Sequence, residues 1–96
     1  DKLSQTDQNY KSKLLEWTQK HHVNIDFELI DTFNDNDGNP VFKTAVILAG
    51  IVTAEGSGFT KKESHQNASR QALRRIDNDR LLTERILSSK NPSDTD

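Results

Sequence analysis

The stretch GSGFTKKESHQNASRQAL, residues 56–73, decides the fold. Thr60-Lys61-Lys62-Glu63 has the form of a capping box. The Thr60 side chain can accept from the Glu63 amide while the Glu63 carboxylate reaches back, so a helix starts here. Beyond the cap, His65, Ala68, Ala72 and Ile76, with Ser69 and Leu73, form the stripe expected to be buried. Its mid-helix members are small, which lets the helix lie close to whatever it covers. Ahead of the cap, Gly56 and Gly58 let the backbone approach a partner. A helix N-terminus offers unpaired amides and the positive end of the dipole, and Lys61 and Lys62 add two mobile charges. The combination suits an anion. It also suits a plain strand-to-helix turn with a good cap, and it lacks the spacing of a P-loop.

Working upstream, IVTAEG (residues 51–56) reads as a strand joined through Gly50 to VFKTAVILA (41–49). Phe42, Thr44, Val46 and Leu48 alternate onto one face of that strand. DNDGNP (35–40) is a turn cluster, preceded by the alternating NIDFELI (24–30), in which Ile25, Phe27 and Leu29 point one way and Asp26 and Glu28 the other. Three strands with short links predict an antiparallel meander. Before them, Tyr10, Leu14 and Trp17 share one face of a helix over about residues 10–21, and Ser12, Leu15, Glu16 and Gln19 lie on another. The order is α-β-β-β-α. It predicts an α+β two-layer sandwich, with two helices on one face of a three-stranded antiparallel sheet.

Downstream, Asp77-Asn78-Asp79 interrupts the second helix, and RLLTERIL (80–87) is apolar at Leu81, Leu82, Ile86 and Leu87. A short third helix over about 79–88 is expected. Its stripe either meets a partner or docks on its own domain. Residues 1–9 read as a linker, 10–76 as the domain, and 77–96 as an extension ending in a disordered polar tail.

At 96 residues the chain suits one small domain with a modest core. It has no cysteine, which excludes a disulfide framework and thiolate metal sites. No apolar run approaches the roughly 20 residues that span a bilayer, so no membrane role is expected. There is no methionine, and the expectation is a fragment of a longer chain. The formal net charge is -2, yet residues 60–76 carry Lys61, Lys62, Arg70, Arg74 and Arg75 against Glu63 alone. A basic stripe on an acidic body points to a polyanion.

Other chemistry is thin. DTFNDNDGNP faintly echoes a calcium loop, but Phe33 and Thr44 stand where carboxylates are needed, so it reads as a polar hairpin turn. His21 and His22 are adjacent and cannot share a helix face as metal ligands. No metal site and no catalytic set is expected. The glycosylation sequon Asn67-Ala68-Ser69 falls inside the second helix and reads as chance.

These pieces resemble the double-stranded-RNA-binding domain, whose pattern is G-x-G-x-S-K-K-x-A-K followed by a small-residue helix ending in Ala-Leu. Gly56, Gly58, Lys61, Lys62, Ala68, Ala72 and Leu73 match in register, and Thr60 replaces the serine. YKSKLLEWTQ and FELIDTFNDNDGNPVFKTAVILAG look like the domain that ends bacterial ribonuclease III. The resemblance covers about residues 10–76. It implies shape-dependent binding of double-stranded RNA across two minor grooves and the phosphates between them. Ser12, Glu16 and Gln19 would address one minor groove, with Leu15 in place of a common glutamine. The loop between the first two strands would address the second, with Gly38 where a histidine is frequent. Thr60, Lys61 and Lys62 would bridge the major groove, joined by His65 in place of a frequent lysine and by Arg70 on a nearby turn.

The resemblance further implies a parent endoribonuclease acting in RNA processing in the cytoplasm. That parent would be a homodimer through a nuclease domain absent from this chain. Mg²⁺ would belong to that domain, and this one would need no cofactor. The other implied role is a protein-interaction or dimerisation version of the same fold with weakened RNA binding, using Leu15 and the 81–87 stripe.

Overall fold

The computed structural model describes residues 9–89. The expected linker lies almost wholly outside this range, as does the expected tail beyond Ser89. Six elements follow in order: α1 (Tyr10–Lys20), β1 (Ile25–Asn34), β2 (Pro40–Leu48), β3 (Ile51–Gly58), α2 (Lys61–Asn78) and α3 (Arg80–Ser89). The strands form one antiparallel sheet in the order β1-β2-β3. The α-β-β-β-α sandwich is therefore present, with a third helix after it.

Local chemistry sets each boundary. Helix α1 stops where His22 takes a left-handed conformation (φ 58°) and the Val23 amide donates to the Thr18 carbonyl at 2.8 Å, closing the last turn. Between β1 and β2, the Gly38 amide donates to the Asp35 carbonyl and the Asp35 amide to the Asn39 carbonyl, both at 2.9 Å. Gly38 is at φ 82°, a region glycine enters without a Cβ clash. Between β2 and β3, Ala49 (φ 54°) and Gly50 (φ 79°) make a two-residue turn whose positive angles suit the right-handed twist of the strands.

The core lies between the sheet and the helices. Leu14, Val46, Leu48, Ala68, Ala72 and Ile86 are fully buried there, with Val23 and Ala54 close behind. Helix α2 lies over β3 and β2, and α1 packs beside α2. Leu29 corrects the simple alternation. It sits opposite Thr44 in the register but remains 42% exposed, because α2 covers β2 and β3 rather than the β1 edge. The strand also continues past Ile30 to Asn34, through an irregularity between Leu29 and Asp31. The 81–87 stripe is largely used up inside the domain. Ile86 is fully buried and Leu82 and Leu87 pack against the core, leaving Leu81 74% exposed.

The register also divides the charge. Asp26, Glu28 and Asp31 on β1 and Glu55 on β3 alternate to the face away from α2, where Lys43 pairs with Glu55 at 3.3 Å. Four of the fifteen acidic residues are thus on the far side of the sheet from the α2 lysines.

Candidate nucleic-acid interface

The start of α2 is held from three sides. The Thr60 hydroxyl accepts from the Glu63 amide at 3.0 Å, as the capping box requires. The Glu63 carboxylate reaches back one residue further than the usual box and accepts from the Phe59 amide at 2.6 Å. Underneath, a buried hydroxyl relay ties the first turn to the sheet. The Ser64 hydroxyl donates to the Lys61 carbonyl at 2.7 Å, which leaves the Thr44 hydroxyl of β2 to donate to Ser64 Oγ at 2.7 Å. Both side chains are fully buried, so the pair satisfies groups that would otherwise be costly to bury.

The glycines act differently from the simplest anion-cradle reading. A Cβ on Gly56 would lie 2.1 Å from the Ala68 nitrogen and 2.5 Å from the Asn67 carbonyl carbon. A Cβ on Gly58 would lie 2.7 Å from the Glu63 Cβ and 2.8 Å from the Ser64 nitrogen. The partner that the bare backbone approaches is α2 itself. Asn67 fastens the same seam by donating its side-chain amide to the Ser57 carbonyl at 2.6 Å. The sequon asparagine is therefore engaged in packing, and Ser69 is fully buried.

What this framework presents is charge. Thr60, Lys61 and Lys62 are exposed at the helix start, where the amide dipoles add to the lysines. His65 is half-buried one turn further on. Its ring stacks on Phe27, with centroids 4.9 Å apart and planes at 17°. The Lys11 ammonium lies 5.1 Å from the centroid of the same Phe27 ring. Burial first, then Lys11, then Lys61 hold the His65 pKa below 6.5. Lys11 was missed in the sequence. No motif marks it, and only the fold brings α1, β1 and α2 together at this point. The Lys11 amide donates to Gln66 Oε1 at 3.2 Å, which fixes the start of α1 against α2.

Ser12, Glu16 and Gln19 are exposed on α1 at i, i+4 and i+7, so they share a face. Gly38 is exposed at the tip of the β1–β2 hairpin, and a Cβ there would meet nothing within 4 Å. Around it, Asp35 Oδ1 accepts from the Asp37 and Asn39 amides at 2.8 and 2.9 Å, so one carboxylate shapes the turn. Arg70 is placed apart from the lysine pair. Nine residues beyond Lys61, it stands about half a turn around the helix and roughly 13 Å along it. Its guanidinium lies 5.9 Å from the centroid of the Tyr10 ring, at the α1–α2 seam.

Comparison with known proteins bears on this geometry. Residues 10–76 match the family described as double-stranded RNA binding motif. The chain is 47% identical over 76 residues to Ribonuclease 3 of Bacteroides thetaiotaomicron, an alignment covering 79% of this chain and 24% of the relative. It is 48% identical over 79 residues to Ribonuclease 3 of Bacteroides fragilis, covering 82% and 27%. With Ribonuclease 3 of Phocaeicola vulgatus it shares 43% identity over 90 residues, covering 94% and 29%. The chain thus spans about a quarter of the length of these curated relatives.

Proposed function

Since the chain belongs to the double-stranded RNA binding motif family, we propose that it reads duplex RNA by shape, as the RNA-binding module of a longer ribonuclease III. The observation that carries this reading is the pair of exposed lysines on a helix start anchored by cap, glycine contact and buried hydroxyls. Thr60, Lys61, Lys62 and His65 meet phosphates across the major groove. Ser12, Glu16 and Gln19 line α1 for one minor groove, and the hairpin carrying Gly38 reaches toward the next. Arg70 acts at longer range, from the α1–α2 seam.

In this reading, endonucleolytic cleavage of duplex RNA belongs to a nuclease domain elsewhere in the parent chain. Mg²⁺ and homodimer formation belong to that domain too, and the parent works in the cytoplasm. This segment binds without cutting and uses no cofactor. The protein-interaction alternative is disfavoured by the burial of Ile86 and the packing of Leu82 and Leu87, which remove most of its contact surface.

The test is a titration with duplex RNA of about 20 base pairs, long enough for the roughly 16 that such a domain spans. The chain should bind RNA and prefer it to duplex DNA of the same length. Lys61→Ala with Lys62→Ala should weaken binding about tenfold or more and reduce the salt slope by about two contacts' worth, without unfolding the chain. Unchanged affinity and salt slope in the double variant would overturn the site assignment.

A further inference from the structure

His65 is in an unusual position for a histidine on a cation platform. Its ring is clamped against Phe27, and the charged groups that face it are Lys11 from α1 and Lys61 from its own helix. The third element packed on it, β1, presents Phe27, while Asp26 and Glu28 alternate to the other face of the sheet. Glu63 is turned back to the Phe59 amide. The nearby field is therefore positive. A lysine at position 65 would hold its charge against that field at all times, whereas an imidazole can shed it. Burial and the two lysines hold its pKa below 6.5, so the ring is mostly neutral at pH 7 in the free domain.

A phosphate reverses the balance. A phosphodiester seated at Lys61 and Lys62 offsets the charges that keep the proton off, and it favours the imidazolium directly. Burial is the largest of the causes that hold this pKa down, and the duplex adds to it, so the coupling requires the phosphate charge to outweigh that burial. We propose that duplex RNA binding at the start of α2 is coupled to uptake of one proton by His65, which makes this domain a binder whose grip tightens as pH falls from 8 to 6. The inference rests on the RNA-binding reading above and adds regulation to the same site.

Stability moves the other way. With the folded pKa below the unfolded value, the unfolded chain takes up the proton more readily. The contribution of His65 to stability is therefore present above pH 6.5 and lost as pH falls through its folded pKa. Affinity and stability should thus diverge over the same pH range.

The experiment measures the affinity of the chain for a 20-base-pair RNA duplex at pH 6, 7 and 8 and constant ionic strength. Binding calorimetry in buffers of different ionisation enthalpy counts the protons taken up. Wild type should bind on the order of fivefold tighter at pH 6 than at pH 8, with proton uptake at pH 7. His65→Gln should lose this pH dependence, and His65→Lys should bind tightly throughout. A flat wild-type profile without proton uptake overturns the coupling while leaving RNA binding intact. Persistence of the slope in His65→Gln also overturns it, by placing the proton on another group. Absence of RNA binding at every pH overturns both this inference and the reading beneath it.

Discussion

The start of α2, reached from β3 through Gly56 and Gly58, and the β1–β2 hairpin with Gly38 are both expected to face nucleic acid, and they are built for different purposes. At the α2 start, the hydrogen bonds of Thr60, Glu63, Ser64 and Thr44 converge on one turn and fix the backbone beneath two lysines. At the hairpin, Asp35 spends a carboxylate oxygen on the amides of Asp37 and Asn39, and the turn folds on itself with Asp37 outward. The glycines differ in the same sense. Gly56 is required because α2 occupies the place of its side chain, whereas Gly38 has open space and is required only for its positive φ. Each segment is thus tied down by its own side-chain hydrogen bonds. What it offers RNA depends on the charges mounted on it.

The sharpest way to break the comparison is to add one methyl group at each glycine. Gly56→Ala forces backbone against backbone and should lower stability by about 3 kcal/mol or more, enough to unfold much of a small domain. Gly38→Ala should lower it by only about 1 kcal/mol, the strain of a left-handed alanine. Thermal melts followed by circular dichroism compare them directly; equal losses would refute the distinction. Removing the cap with Thr60→Ala should lower stability by about 1 kcal/mol and loosen the first turn under Lys61. Hydrogen exchange should show that loosening at the Glu63 amide, which loses its acceptor. The smallest effect is expected at the hairpin. Asp37→Asn removes an exposed negative charge and should tighten duplex RNA binding about two- to threefold at low salt, with the gain fading as salt rises. Weaker binding after that change would mean the hairpin contributes more than repulsion.

The parts legible in the sequence were those written locally. The capping box, the turn at Asp35–Pro40, the alternation of β2 and the small-residue stripe of α2 each lie within a few consecutive residues. Together they gave the order of elements and the lysine pair. Other features depend on long-range contact. Leu29 alternates correctly but is exposed, because coverage of β1 depends on where α2 comes to rest. Ser64 looks like an ordinary polar helix residue until Thr44 is found beneath it. His65 could be seen only as an absent lysine, since Phe27 and Lys11 reach it from other elements. Gly56 and Gly58 mark a close backbone approach in the sequence, but whether the neighbour is a phosphate or a helix depends on where α2 comes to rest.

The contact between Gly56 and the backbone of α2 has a consequence for the entropy of recognition. With no side chain between strand and helix at Asn67 and Ala68, and with Gly58 set against Glu63 and Ser64 in the first turn, the start of α2 shares the stiffness of the sheet. A partner arriving at Lys61 and Lys62 then has little main chain to immobilise, and the ordering penalty is confined to two lysine side chains. A shape reader gains from this in particular, because the spacing between its contacts has to exist before the duplex arrives.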